Sequence, residues 1–149
     1  IDKILGECNF PSEYLELEIT ESMVMENIEG AIKIMKQLKS RNINISIDDF
    51  GTGYSSLSYL KKFPIDIIKI DKSFIRDLTE DSNDKALVNA IVTMAKSLTL
   101  DVIAEGVETE EQRQNLSAKG CAHYQGYLFS KPLTSKLFAK KFLSKEKAI

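Results

Sequence analysis

The chain has 149 residues, and 20 lysines and arginines against 22 aspartates and glutamates give it a formal net charge of −2. Hydrophobic residues make up 43% and charged residues 28% of the sequence, an ordinary globular composition that excludes disordered, collagen-like and mini-protein chains. The near-neutral charge argues against a nucleic-acid polymer as a partner, and no uncharged stretch approaches the roughly 20 residues of a membrane-spanning helix.

The cysteines and the histidine limit the kinds of site that the chain can form. Cys8 and Cys121 lie far apart, which favours a reducing compartment over a disulfide framework. His123 is the single histidine, so histidine-rich zinc sites are excluded and any metal should be held by carboxylates. There is no basic-then-apolar leader. We therefore expect a cytoplasmic protein, with membrane tethering of the complete protein as the alternative.

The first half of the chain alternates predicted strands and helices. Residues 14–20 alternate apolar and polar side chains and predict a strand, and the apolar spacing at 28–38 predicts a helix. Residues 43–48 alternate again and predict a second strand. After a glycine turn, residues 55–63 predict a short helix that ends before a proline.

The second half continues the same alternation. Asp84 is the predicted N-cap of its first helix, Thr109 and Gln112 predict a capping box at the start of the next helix, and Gly120 predicts its end. The predicted segments are a strand at 65–70, a helix at 87–98, a strand at 101–105, a helix at 109–120, a short strand near 122–127 and a lysine-rich helix from about 135.

This order of elements predicts the fold class. Alternating strands and helices indicate right-handed βαβ units and a parallel sheet. An open doubly wound sheet and a (β/α)₈ barrel both fit that order. Strands buried on both faces should be almost continuously apolar, whereas these strands keep polar groups on one face. A barrel whose interior holds a polar site at one end explains this pattern more easily.

Ionisable side chains recur near the C-terminal ends of the four longer predicted strands. Glu18, Asp48, Lys69 and Glu105 all fall on the predicted inner face. Isolated buried charges are costly unless they are paired or bind a metal, so their repetition predicts one site at the C-terminal mouth of the barrel. For any single position, a solvated side chain, turn chemistry at Asp48 or a structural ion pair between Lys69 and Asp71 is an alternative.

The candidate residues favour metal-dependent phosphoryl chemistry. Glu18, Asp48, Asp49 and Glu105 offer hard oxygen ligands, which select Mg²⁺ or Mn²⁺ over Zn²⁺. Two cations about 3.5–4 Å apart would clamp the attacking and leaving oxygens of a phosphoryl centre. Lys69 would then orient the attacking water or stabilise charge on the phosphoryl oxygens.

Five motifs in order carry a family resemblance. They are E-I-T-E-S at 18–22, D-D-F-G-T-G-Y-S-S-L at 48–57, K-I-D at 69–71, A-E-G-V-E at 104–108 and Q-G-Y at 125–127. To about residue 133, the chain closely resembles the EAL-domain family of bacterial cyclic-di-GMP phosphodiesterases. The resemblance implies a (β/α)₈, TIM-barrel-like EAL fold that hydrolyses cyclic-di-GMP to the linear dinucleotide pGpG with two Mg²⁺ or Mn²⁺ ions.

The resemblance also implies roles for individual residues. Glu18 and Asp48 match ligands of the first metal, and Asp48 would bridge to a second metal. Asp49 and Glu105 would complete the second site, and Lys69 would contact the hydrolytic water. Whether Glu105 is also the general base stays open. The same matching implies roles for four further residues: Glu21 holds the 48–54 loop, and Asp71, Glu108 and Gln125 contact substrate or ordered water.

The chain departs from the family in one respect. The Glu-Ala-Leu signature and an asparagine motif, which supply two further ligands of the first metal, are not in it. We expect residues 1–149 to be the C-terminal portion of a single EAL domain, an incomplete barrel without its N-terminal strands. Alone, this portion should self-associate and have little or no activity.

Two expectations concern the complete protein. It should form a homodimer, with a sensor or GGDEF-type domain in the same chain. The alternative to an enzyme is a non-catalytic cyclic-di-GMP receptor or a protein-interaction module.

Overall fold

A single parallel sheet organises the protein. The computed structural model describes residues 1–53 and 57–143. Within these ranges, five strands pair in the order in which they occur in the chain, and every pairing is parallel. The strands are β1 (Glu16–Thr20), β2 (Asn44–Phe50), β3 (Ile67–Ile70), β4 (Asp101–Ala104) and β5 (His123–Tyr124).

Helices connect successive strands. The longest are α3 (Ile28–Lys39), α6 (Ser82–Ser97) and α7 (Glu110–Ala118). The shorter helices are α1 (Asp2–Cys8), α2 (Glu21–Glu26), α4 (Leu57–Leu60), α5 (Lys72–Arg76) and α8 (Ser135–Phe138), with a 3₁₀ turn at Ser12–Tyr14 and a π-helical turn at Ala139–Leu143. In the described ranges, none of these helices combines the length and the apolar character needed to cross a membrane.

The core lies between one face of the sheet and the helices. Ile45 and Ile47 of β2 and Ile68 and Ile70 of β3 are at most 2% exposed and pack in one apolar cluster with residues of α3 and α6. The side chains that alternate with them therefore point to the opposite, inner face of the sheet. Ser46 and Lys69 are buried on that inner face.

The strand order separates the two candidate architectures. A doubly wound sheet reverses its strand order at a switch point. The described strands run from β1 to β5 without a reversal, as successive strands of a β/α barrel do.

Most predicted elements are present, with shifted ends. The predicted strand at 43–48 extends to Phe50, and the strand predicted near 122–127 has two residues. Of the helix predicted at 55–63, the structure describes Leu57–Leu60, while residues 55–56 lie outside the described ranges. Helices α1, α2 and α5 were not predicted, because each is too short to show helical periodicity.

The cap predictions have mixed outcomes. The capping box of α7 is confirmed, since Thr109 and Gln112 each accept from the other's backbone N–H. The Asp84 cap is wrong, because α6 begins at Ser82 and its N-cap is Asp81, three residues before the predicted one. Asp81 has extended backbone angles and its Oδ1 accepts from Asn83 N at 2.6 Å, so Asp84 lies inside the first turn.

Candidate active site

Lys69 is the centre of an ion-pair cluster at the C-terminal ends of the strands. It lies in β3, and its side chain is 4% exposed. Its Nζ lies 2.8 Å from Glu18 Oε2, 3.2 Å from Asp48 Oδ1 and 2.7 Å from Glu105 Oε1. The structure therefore brings together one ionisable group from each of the four predicted strand ends.

The strand register explains this convergence. Thr20 pairs with Asp48, and Lys69 pairs with Ile103, so the C-terminal ends of β1 to β4 lie side by side. In β3, Ile68 and Ile70 enter the apolar core, which directs Lys69 to the inner face. Glu105 follows the last residue of β4 and is reached by the same lysine.

Asp48 and Asp49 lie in an irregularity of β2. The pairing with β3 shifts between Ile47 and Phe50, and Asp49 has a positive φ of 54°. Such bulges change the direction of side chains at active sites. Here the carboxyl of Asp49 faces Asp71, and partial desolvation together with the charges of Asp48 and Asp71 raises the pKa of Asp49.

The cluster also shifts the ionisation of its other members. Burial alone would lower the pKa of Lys69, but hydrogen bonds to Glu105, Glu18 and Asp48 outweigh it and raise that pKa above the ordinary lysine value. Burial raises the pKa of Glu105, and its ion pair with Lys69 only partly offsets the rise. The lysine is thus held as a cation, while Glu105 holds a proton more readily than an exposed glutamate.

Glu21 braces the loop that follows β2. It lies in the first turn of α2, is 3% exposed, and its Oε2 accepts from Gly51 N at 3.0 Å. A Cβ on Gly53 would lie 2.5 Å from Glu21 Oε1, so the loop packs directly on this carboxylate. Glu21 therefore contacts the described part of this loop, at Gly51 and Gly53, while its matched role in holding the loop stays a prediction. Tyr54, at the end of the predicted loop, lies outside the described residues.

Asp71 has a local structural partner. Its Oδ1 accepts from Ser73 N at 2.9 Å and from the Ser73 hydroxyl. The Asp71 side chain is thus the N-cap of α5. These hydrogen bonds to Ser73 outweigh desolvation and lower the pKa of Asp71. Among the described residues, Lys69 pairs with the cluster carboxylates and not with Asp71, so the alternative of a Lys69–Asp71 ion pair is wrong. The matched role of Asp71 in substrate contact stays a prediction.

A groove of about 600 Å³ opens beside Glu105. Gln125 Nε2 donates to Glu105 Oε1 at 2.7 Å, so this predicted substrate residue also fixes the carboxylate. Lys72 lines the groove and was not predicted, although it directly follows the K-I-D motif. The lining includes Lys72, Glu105, Glu108, Gln125, Tyr127 and Phe129.

The oxygen atoms of the cluster fit a divalent cation in kind. Ser46 Oγ is buried on the inner face of β2 without a hydrogen-bond partner among the described residues, and the buried Asp48 Oδ1 has Lys69 Nζ as its neighbour at 3.2 Å. Because a carboxylate oxygen has two lone pairs, Asp48 Oδ1 can pair with Lys69 and still bind a cation. In the described part of the chain, no group of three or more acidic, histidine or cysteine side chains is arranged to hold a metal ion; Glu18, Asp48 and Glu105 instead surround the Lys69 ammonium. Carboxylate oxygens are among the hard oxygen donors that Mg²⁺ and Mn²⁺ prefer.

Fold and site together define a class: a TIM-barrel-like α/β domain with carboxylates and a lysine at the C-terminal ends of its strands. The EAL domain family matches residues 1–132, and the chain belongs to that family. The predicted fold class and the family resemblance are confirmed.

Curated relatives carry this sequence as one part of a longer chain. The signaling protein YkoW of Bacillus subtilis is 49% identical over 138 residues, covering 93% of this chain and 17% of YkoW. MucR of Pseudomonas aeruginosa, a bifunctional diguanylate cyclase/cyclic di-GMP phosphodiesterase, is 48% identical over 120 residues, covering 80% of this chain and 18% of MucR. The chain therefore spans less than a fifth of the length of these relatives.

Solved structures share the fold over most of the chain. The MucR phosphodiesterase in complex with c-di-GMP has a TM-score of 0.89 at 43% identity and covers 92% of this chain and 56% of that one. BlrP1 of Klebsiella pneumoniae, in a manganese and cy-diGMP complex, has a TM-score of 0.82 at 35% identity and covers 87% and 33%. A calcium complex of BlrP1 also matches.

Proposed function

We propose that the protein containing this chain hydrolyses cyclic-di-GMP to pGpG with two divalent cations, Mg²⁺ or Mn²⁺. The observation that carries the proposal is the convergence of Glu18, Asp48 and Glu105 on Lys69. The complexes of MucR with c-di-GMP and of BlrP1 with manganese and cy-diGMP support it.

The chain's own residues divide the work of this site. Glu18 and Asp48 would hold one cation, while Asp48, Asp49 and Glu105 would hold the other. When bound, the cations supply Lewis-acid activation of the phosphodiester and of a water molecule. Lys69 stays protonated and can hold that water or stabilise charge on the phosphoryl oxygens.

The groove beside Glu105 is the proposed binding site of the substrate, cyclic-di-GMP. Glu108 and Gln125 line it, and Asp71 lies at the start of the helix that follows Lys69. Gln125 keeps Glu105 in place, so its loss should affect the reacting centre as well as the substrate.

The remaining proposals concern the complete protein. It is a cytoplasmic or membrane-tethered homodimer, and a sensor or GGDEF-type domain accompanies the EAL domain in the same chain. The bifunctional name of MucR supports the second domain.

The decisive test uses the full-length protein and its Asp48→Asn variant. Formation of pGpG from cyclic-di-GMP is measured with Mn²⁺ and with Mg²⁺, and the variant should lose turnover at least about a hundredfold, because Asp48 would hold both of the cations that stabilise the transition-state charge. Asp101→Asn, an exposed aspartate at the opposite end of β4, is the control and should keep its turnover. Unchanged turnover in Asp48→Asn would overturn the proposal. Cyclic-di-GMP binding without turnover by the unaltered protein would favour the receptor alternative.

A further inference from the structure

Gln112 is a buried polar residue outside the predicted site. It lies in the first turn of α7 and is 7% exposed. Its Oε1 accepts from Glu108 N at 2.8 Å and from Thr109 N at 3.0 Å. Its Nε2 donates to Ile75 O at 3.0 Å and also to Arg76 O. One amide therefore satisfies backbone groups at the start of one helix and at the end of another.

These hydrogen bonds join two segments that carry site residues. Ile75 and Arg76 belong to α5, which begins directly after Asp71 and the strand of Lys69. Glu108 and Thr109 end the loop that follows β4 and begins with Glu105. Gln112 thus holds the loop of Glu105 and Glu108 against the segment that follows Lys69.

The same loop has other contacts, which show what Gln112 adds. Gly106 has a positive φ of 68°, and a Cβ there would lie 2.6 Å from Lys72 Cβ, so the loop packs closely on the start of α5. On its other side, Val107 N donates to Gln125 O, and Val107 O accepts from Leu128 N. On the α5 side, Glu105 N also donates to Ile70 O at 3.1 Å at the start of the loop, and Gln112 adds hydrogen bonds from the end of the loop to the end of α5.

We infer that Gln112 is a positioning residue for Glu105 and Glu108, through its hydrogen bonds to α5. This inference rests on the proposed function of the site. A glutamate would suit the capping box alone, since that position needs only an acceptor. The bonds to Ile75 O and Arg76 O need a donor, and an amide supplies donor and acceptor at once.

The role of Gln112 has two halves: its Oε1 accepts from the end of the loop, and its Nε2 donates to the carbonyls of α5. Substitutions in the full-length protein can separate them. Gln112→Met removes both halves. Gln112→Glu keeps an acceptor for Glu108 N and Thr109 N but sets carboxylate oxygen against the two carbonyls of α5. Thr109→Ala is the matched control: it weakens the same helix start, where Thr109 Oγ1 accepts from Gln112 N at 3.2 Å, and leaves the Gln112 side chain unchanged.

The readouts are Mn²⁺ binding without substrate, measured from the free Mn²⁺ signal in electron paramagnetic resonance, and kcat and KM for cyclic-di-GMP. Groups that orient a metal ligand typically affect affinity or activity by about 10- to 100-fold. We expect both Gln112 variants to weaken Mn²⁺ binding and lower kcat/KM within that range. Thr109→Ala should keep both quantities within about twofold, whatever its melting temperature.

Each outcome decides the inference. Unchanged Mn²⁺ affinity and kcat in folded Gln112→Glu would overturn it, because the site would then not depend on the hydrogen bonds from Gln112 to α5. An equal loss in Thr109→Ala, or unfolding of both Gln112 variants, would assign Gln112 a purely structural role. If the unaltered protein binds Mn²⁺ but does not hydrolyse cyclic-di-GMP, the proposed function fails, while the Mn²⁺ affinities of the variants still test the positioning.

Discussion

Replacing Lys69 by methionine should destabilise the protein strongly when no divalent cation is present. The lysine side chain is 4% exposed, and its partners Asp48 and Glu105 are 24% and 16% exposed. Removing one member of a buried ion pair typically costs about 3–5 kcal/mol, because the other charge stays buried and uncompensated. Glu18 is half exposed and adds at most about 1 kcal/mol. We therefore expect Lys69→Met to lower the free energy of unfolding by about 3–5 kcal/mol.

Urea denaturation in EDTA at pH 7, followed by circular dichroism, measures this loss. Lys39→Met is the matched control, because Lys39 Nζ lies 2.6 Å from Asp66 but both side chains are 31% exposed, so about 1 kcal/mol is expected. Saturating Mn²⁺ should reduce the difference in free energy of unfolding between Lys69→Met and the unaltered protein, since a cation then balances the same carboxylates. A loss below about 1 kcal/mol in EDTA would refute the view that these carboxylates depend on Lys69.

The pH dependence of this contribution has a definite sign. The fold raises the pKa of Lys69, so its stabilising effect is complete below the ordinary lysine pKa of 10.5. It is lost as the pH rises through the higher folded value. The difference in free energy of unfolding between the unaltered protein and Lys69→Met should therefore shrink in strongly alkaline solution.

Three further predictions address Asp49, Gln125 and Gly126. Asp49→Asn should raise the melting temperature slightly in EDTA at pH 7, because the folded state raises the pKa of Asp49 and disfavours its ionised form. The advantage should vanish below the ordinary pKa of 3.8, where the aspartate is already protonated, and reverse in Mn²⁺. Gln125→Leu should lower kcat by about 10- to 100-fold with little change in melting temperature, because Glu105 loses a 2.7 Å hydrogen bond. Gly126→Ala should lower the free energy of unfolding by about 1–3 kcal/mol or more, since its Cβ would lie 2.1 Å from Val107 O.

Matched variants make these outcomes decisive. Gly6→Ala has open space around its Cβ in α1 and should stabilise slightly, so equal losses at Gly6 and Gly126 would contradict the packing argument. Gln114→Leu on the exposed side of α7 should keep its kcat. A lower melting temperature for Asp49→Asn in EDTA would show that the ionised carboxylate stabilises the fold.

Side-chain periodicity predicted most of the architecture. Isoleucines at alternate positions of β2 and β3 identified the buried face, and the polar residues between them identified the inner face. This parity works because the two faces of a strand meet different surroundings. The meeting of Glu18, Asp48 and Glu105 at one lysine follows from that parity and from the alignment of parallel strand ends.

Hydrogen-bond choices were not predictable from the same pattern. Asp71 has the spacing of a partner for Lys69, yet its carboxylate accepts from the nearby Ser73 N and serves as a helix cap. Asp84 and Asp81 are both suitable caps, and only the backbone angles decide between them. Gln112 was recognised as a cap, but its bonds to α5 depend on how two helices pack. Such choices are made between competing partners in three dimensions.

The sequential strand order has a consequence for how the site assembles during synthesis. Each strand pairs with the strand that precedes it, so a growing chain can extend the sheet in the order in which segments leave the ribosome. Glu18 and Asp48 are then already neighbours when Lys69 emerges, and Glu105 follows. If the sheet grows in this order, the cluster gains its cation, Lys69, before its last carboxylate, Glu105.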